Sequence, residues 1–252
     1  MGRDGADRQA PQDGLRRDGV SQLLRAECET RREGSSERPF LKAPKTRVGA
    51  GIALYIAVTV LGVYLHSHPG PTIFDREAFR ILPDRYYWSK LTYVAELGRA
   101  RTVAVVCLVS CIIAFGWDRR RALTCIAGPP AAIGITELIA KPAVGRMFGG
   151  LLCYPSGHMT AVASIVGVVV IAFPPRFRKA MFVVGVLVCI VVGVVLMLLR
   201  WHYLTDVIAG ASVAIATLLI VDTILHVHPE WGFGLQKSHA RRPDEQLYSA
   251  GS

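Results

Sequence analysis

Tyr154-Pro155-Ser156-Gly157-His158 is a short polar island in a chain that is otherwise mostly apolar. Lys141-Pro142-Ala143-Val144-Gly145-Arg146 precedes it by a few residues, and Arg200-Trp201-His202-Tyr203-Leu204-Thr205-Asp206 follows, with His202 44 positions after His158. Two histidines, an aspartate and three cations are the residue types of a phosphate site. Phosphoryl transfer asks a protein chiefly for positioning and for positive charge around the equatorial oxygens, with nucleophile and leaving group in line. His202 can attack phosphorus through one ring nitrogen while the other is held as a donor. Asp206, four residues on and on the same helical face, is placed to accept that hydrogen bond and to stabilise the cation that forms. His158 then protonates the departing alkoxide, a poor leaving group that needs a general acid near neutral pH.

Pro155-Ser156-Gly157 reads as the opening of a helix. Glycine lets the backbone come close to a phosphate, and free N–H groups with the helix dipole point at an anion. Ser156 and Gly157 are therefore expected at the phosphate, with Lys141, Arg146 and Arg200 supplying fixed charge. No run of Asp and Glu has ligand spacing for a divalent cation, so the expectation is a site without metal or cofactor.

The elements that must position these residues are membrane elements. Of 252 residues, 52% are hydrophobic, too many for an ordinary soluble domain, and they lie in blocks long enough to cross about 30 Å of hydrocarbon. A net charge of +10 invites a nucleic-acid reading, but the basic residues sit between apolar blocks or in the tails, without a stripe interleaved with aromatics. A membrane surface accounts for them better. The six cysteines show no C-x-x-C pair and fall mostly in apolar segments, as small buried residues do.

Residues 1–47 carry eleven Lys/Arg and eight Asp/Glu with hardly any aliphatic run, the composition of a disordered tail. Spans are expected at Val48–Leu65, Leu97–Trp117, Ala122–Ala140 (interrupted by Pro129-Pro130), His158–Phe173, from the basic turn 174–179 to Leu199, and His202–Leu225. A membrane domain over 48–226 is thus followed by a polar tail, 227–252. Residues 66–98 suit a loop with a short helix at the interface, where Tyr86-Tyr87-Trp88 form an aromatic belt or, less simply, a lid.

The expected architecture is an all-α, six-span bundle with both chain ends on one side. The segments 141–158 and 200–206 emerge on one face whatever the orientation, so the two halves of the site can meet. Arg119 to Arg121, Arg176 to Lys179 and the N-terminal tail share the opposite face, which the positive-inside tendency makes cytoplasmic. The site then faces outward from the cell membrane, although Arg76, Arg80, Arg85 and Lys90 run against that count.

Pro155-Ser156-Gly157-His158 and His202-x-x-x-Asp206, followed by Val207 and Gly210 in a six-span chain, resemble the type 2 phosphatidic acid phosphatase family over roughly residues 50–225. That resemblance implies that His202 is the nucleophile, His158 the acid and Asp206 the residue that orients the nucleophile. The family's first motif, Lys, six residues, then Arg-Pro, is only half present: Phe148-Gly149 stand at the arginine's distance, and Arg146 is the nearest arginine. Its third motif opens with Ser-Arg where this chain has Val195-Leu196, and Arg200 is the nearest substitute.

Singly, each of these residues has a plainer reading. A Lys or Arg at a span end is ordinarily a snorkelling anchor, and Glu137 is most simply the helical ion-pair partner of Lys141. The small residues Gly185, Gly193, Gly210, Ala211 and Ala214 suit helix packing. Taken together, the two histidines and the cations point to use, because intramembrane ionisable clusters are costly. The expected activity is metal-independent hydrolysis of a lipid phosphomonoester or diphosphate through a phosphohistidine. A polyprenyl diphosphate or prenyl-linked sugar phosphate of envelope synthesis is the first candidate substrate, and phosphatidic acid or phosphatidylglycerol phosphate the next. A lipid phosphotransferase, or a non-hydrolytic lipid binder or transporter on the same scaffold, are the alternatives. Membrane lipids are the expected surroundings, nucleic acid is not an expected partner, and the oligomeric state is left open.

Overall fold

The first span starts on a proline, which has no N–H to leave unsatisfied at a helix start, and runs as α1 over Pro44–Ser67. In the computed structural model, which describes residues 44–83, 88–116 and 118–227, it is followed by α2, Ile73–Ile81, and α3, Trp88–Ala95. A 3-10 turn at Glu96–Gly98 leads into α4, Ala100–Phe115, and then come α5, Arg119–Gly134, a π-helical turn at Ile135–Ala140, and α6, Lys141–Val144. A two-stranded hairpin, β1 Met147–Phe148 and β2 Leu151–Leu152, precedes α7, Gly157–Ala172, α8, Pro175–Leu198, and α9, Leu204–Val227. Residues 1–43 and 228–252, with most of the expected tails, lie outside the described residues, as do Tyr86 and Tyr87.

Among the described residues, four helices are long and apolar enough to cross a membrane: Pro44–Ser67, Arg119–Val144, Pro175–Leu198 and Leu204–Leu225. The expected second span begins with a break, since Lys90–Gly98 and Ala100–Phe115 meet at 51° and make a fifth span only as a bent pair. The expected fourth span is the shorter helix α7, whose 16 residues reach about 24 Å, less than a hydrocarbon core. The prolines at 129 and 130 lie inside α5 without ending it, and the chain stays helical through the π turn to Val144.

Helices α7 and α9 form the centre. α9 packs on α1, α5 and α7, while α7 also touches α4, α5 and α8. Small residues set these approaches. Leu218 of α9 fits into the space left by Gly128 of α5 and Gly167 of α7, and Val207 lies over Gly193. Outward-facing Ile56, Val60, Val63, Val105, Ile112, Phe182 and Leu187 leave the apolar surface that lipid, not water, would cover. Arg47 at the start of α1 donates to Asp222 near the end of α9 at 2.6 Å, so these two helix ends share one end of the bundle. At that end too, Arg178 Nε donates to the Phe173 carbonyl across the α7–α8 turn.

Candidate functional site

Two polar stretches remote in sequence meet at the opposite end. The Ser156 N–H donates to the Asp206 carbonyl at 3.0 Å, bonding the start of α7 to the first turn of α9. Thr160 adds a bond from its hydroxyl to the Gly210 carbonyl at 3.1 Å. Gly210 permits this, because a Cβ there would run into the Ser156 carbonyl. The ring centroids of His158 and His202 stand 6.4 Å apart, and His158 tilts against Trp201 at 5.5 Å.

His202 is presented by the way α8 ends. The Arg200 N–H bonds to the Met197 carbonyl and the Trp201 N–H to the Leu196 carbonyl, the paired bonds of a Schellman stop. Its left-handed position is held by Arg200 itself, at φ 55°, where glycine is usual. The His202 ring, nearly enclosed, has Nδ1 3.0 Å from the carbonyl oxygen of Cys153. A carbonyl can only accept, so Nδ1 carries a proton, and in the neutral ring the lone pair is then on Nε2.

Asp206 was expected to be the acceptor for His202, and here the structure differs. Its Oδ2 is 3.8 Å from Nδ1, too long for that bond, and accepts instead from the Tyr203 N–H at 2.9 Å. The cause is local: Asp206 sits in the first turn of α9, from which a carboxylate reaches back to the residue before the helix. Orientation of the ring falls to the Cys153 carbonyl, and the Asp206 carboxylate lies 3.8 Å from Nδ1.

The expected phosphate contacts separate into two groups. Ser156 and Gly157 open α7; the Ser156 hydroxyl is buried and accepts from the Met159 N–H as an N-cap. Lys141 Nζ lies 2.8 Å and 2.9 Å from the two oxygens of Glu137, one π-widened turn back. That carboxylate sits over Gly157, where a Cβ would collide with Oε1. Lys141 and the start of α7 thus face one anionic position together.

The arginines form the other group. Arg146, expected at the phosphate, is fully buried with its five N–H groups committed within the protein. Nε donates to the Pro69 carbonyl at 3.3 Å and Nη2 to the Gly70 carbonyl and Asp75 Oδ2, each at 2.9 Å. Nη1 donates to Thr205 Oγ1 at 2.8 Å and Asp206 Oδ1 at 2.6 Å. Its guanidinium also stacks 4.2 Å from the Tyr203 ring. Arg200 stacks at 4.2 Å over Phe79 of α2, whose ring in turn meets Phe148 and Tyr203. Both arginines therefore tie α2 to the segment carrying His202.

Asp75 is the residue that sequence reasoning missed. The sequence does signal its local role: Thr72 and Asp75 form a capping box that starts α2. Nothing in the spacing announces the contact with Arg146, 71 positions away. Burial works against its charge, but hydrogen bonds from Thr205, Thr72 and Arg146 outweigh it and hold the carboxyl below the usual carboxylate range.

The profile of the PAP2 superfamily matches residues 48–228. Among solved structures, the crystal structure of a transmembrane PAP2 type phosphatidylglycerolphosphate phosphatase from Bacillus subtilis superposes with a TM-score of 0.56 at 17% sequence identity. The match covers 74% of this chain and 98% of that one. At that identity the likeness speaks for the fold. No curated protein matches the chain. The matched span takes in both histidines, every helix named above but the first few residues of α1, and the buried cluster between them; the chain belongs to the PAP2 superfamily.

Proposed function

We propose that the protein is a metal-independent lipid phosphatase of the cell membrane, hydrolysing a lipid phosphomonoester or diphosphate through a phosphohistidine on His202. The observation that carries the reading is the pairing of two imidazoles 6.4 Å apart, one with Nδ1 fixed as donor to the Cys153 carbonyl. That spacing leaves room for a phosphoryl group between a nucleophile and an acid.

In the first step the Nε2 lone pair of His202 attacks phosphorus, the bond from phosphorus to the lipid oxygen breaks, and His158 gives that oxygen its proton. In the second, His158 takes a proton from water as the water oxygen attacks phosphorus. The P–N bond breaks and inorganic phosphate leaves. Lys141 and the N–H groups at the start of α7 meet the phosphoryl oxygens. Asp206, on the far side of the ring, favours the positive charge that His202 acquires.

A polyprenyl diphosphate or prenyl-linked sugar phosphate remains the first candidate substrate. Phosphatidic acid and phosphatidylglycerol phosphate follow, the last being what the Bacillus subtilis relative is named for. The site lies at the end of the bundle away from Arg119–Arg121 and Arg176–Lys179, which supports an outward-facing site with both termini cytoplasmic.

The experiment is release of inorganic phosphate from a panel of these lipids by purified protein in EDTA, with His202→Ala alongside. Turnover in EDTA and a silent variant are expected. Turnover lost to EDTA would overturn the metal-free reading, and transfer of the phosphoryl group to a second lipid would make the enzyme a phosphotransferase.

A further inference from the structure

Asp75 belongs to α2, outside both polar stretches that carry the histidines, yet its side chain is fully buried against them. Its Oδ1 accepts from the Thr205 N–H at 2.9 Å and lies 3.0 Å from the Thr205 hydroxyl. Its Oδ2 accepts from Arg146 and from the Thr72 N–H, both at 2.9 Å. Arg146 passes the linkage on to Asp206 Oδ1, and the other oxygen of Asp206 faces His202 Nδ1 at 3.8 Å.

The charge count is what sets this apart from a packing device. One buried arginine needs one carboxylate to be balanced, and a second buried carboxylate is costly unless something uses it. Here two carboxylates share Arg146, so the cluster keeps an excess negative charge. It lies beside the ring that becomes cationic as the P–N bond forms. We infer that Asp75 is a positioning residue for the reaction: through Arg146 and Thr205 it fixes the Asp206 carboxylate beside His202 and supplies the negative charge that the phosphorylated imidazole calls for. The inference rests on reading His202 as the nucleophile.

The test uses the full chain, purified in detergent, with dioctanoyl phosphatidic acid. Asp75→Asn keeps the shape and removes the charge. It should lower kcat about 10- to 100-fold, the range for losing a partner that acts on the reacting group through another side chain, with KM within about twofold. In an Asp206→Asn background the same change should cost less than about twofold, because the path it acts through is already cut. Equal losses in both backgrounds, a higher KM at unchanged kcat, or wild-type kinetics would overturn the inference.

His202→Ala in the same assay separates the two readings. If that variant turns over, the phosphohistidine reading falls and the role of Asp75 with it. If it is silent while Asp75→Asn keeps full kcat, only the present inference falls. Should Asp75→Asn not fold, Thr205→Val removes the hydroxyl held by both Asp75 and Arg146. A several-fold lower kcat at unchanged KM is expected, and a wild-type kcat would overturn the proposal.

Discussion

Glu137 places both carboxylate oxygens on the ammonium of Lys141, at 2.8 Å and 2.9 Å, while lying over the first residue of α7. A carboxylate between a lysine and a helix start occupies the position that a phosphoryl group on its way to His202 would contest. Glu137→Gln should therefore strengthen phosphate binding. The inhibition constant for inorganic phosphate, and KM for a short-chain lipid phosphate, should fall about fivefold, or about 1 kcal/mol, with kcat within about threefold. Weaker phosphate inhibition in the variant would show that Glu137 supports the site and does not compete for it.

An acid role for His158 would make the rate depend on the leaving group. An alkyl phosphate departs as a strong base and needs its proton, whereas p-nitrophenolate does not. His158→Ala should lose about 10²- to 10⁴-fold on a lipid phosphate and much less in the first step on p-nitrophenyl phosphate. With the aryl substrate, phosphoenzyme should accumulate, since the base for its hydrolysis is gone. Radiolabelled phosphate trapped on the protein by rapid quench in alkali would display it.

Arg146 is the shared cationic partner of two buried carboxylates, so its removal strands both. Arg146→Ala should destabilise the fold by about 3–5 kcal/mol, read as a lowered unfolding midpoint in detergent. Restoring a cation with Arg146→Lys should recover part of the stability but not the fork that holds Asp75 and Asp206 at once. Equal midpoints for Arg146→Ala and the wild type would mean that the buried cluster contributes no net stability.

Asp75 also gives a pH dependence. Its folded-state pKa lies below the ordinary value, so the unfolded chain binds a proton first as pH falls. The stability it lends is complete above about pH 4 and is lost as pH drops further through the folded value. Below about pH 4 the unfolding midpoint of the wild type should fall more steeply than that of Asp75→Asn, as followed by thermal unfolding. Parallel slopes would refute the assignment.

How much could be read from the chain depended on whether a residue acts locally or at long range. Apolar block lengths located the helices to within a few residues, and α1 starts at Pro44 against an expected Val48. The i, i+4 relation paired Glu137 with Lys141, and the glycines at 185, 193 and 210 were recognisable as close approaches, each with a neighbouring helix against it. The same spacing rule misled at Asp206. Position on one helical face does not decide whether a carboxylate turns to a side chain or to the backbone of its own first turn. Arg146 was misjudged for a related reason. A buried and an exposed arginine look alike in sequence, and only tertiary structure brings Pro69, Gly70 and Asp75 to its guanidinium.

Helix α7 has a final consequence for which lipids fit. With the basic turn around Arg178 set level with one headgroup layer, the 16 residues of α7 end roughly 6 Å short of the opposite side of a hydrocarbon core, at the end carrying His158. The reacting group must then sink beneath the level at which neighbouring headgroups rest. A phosphate joined to its tails by a stubby linker can make that descent only if the tails slip sideways between helices, whereas one on a long flexible stem can dip alone. Linker length, more than headgroup identity, should rank the substrates.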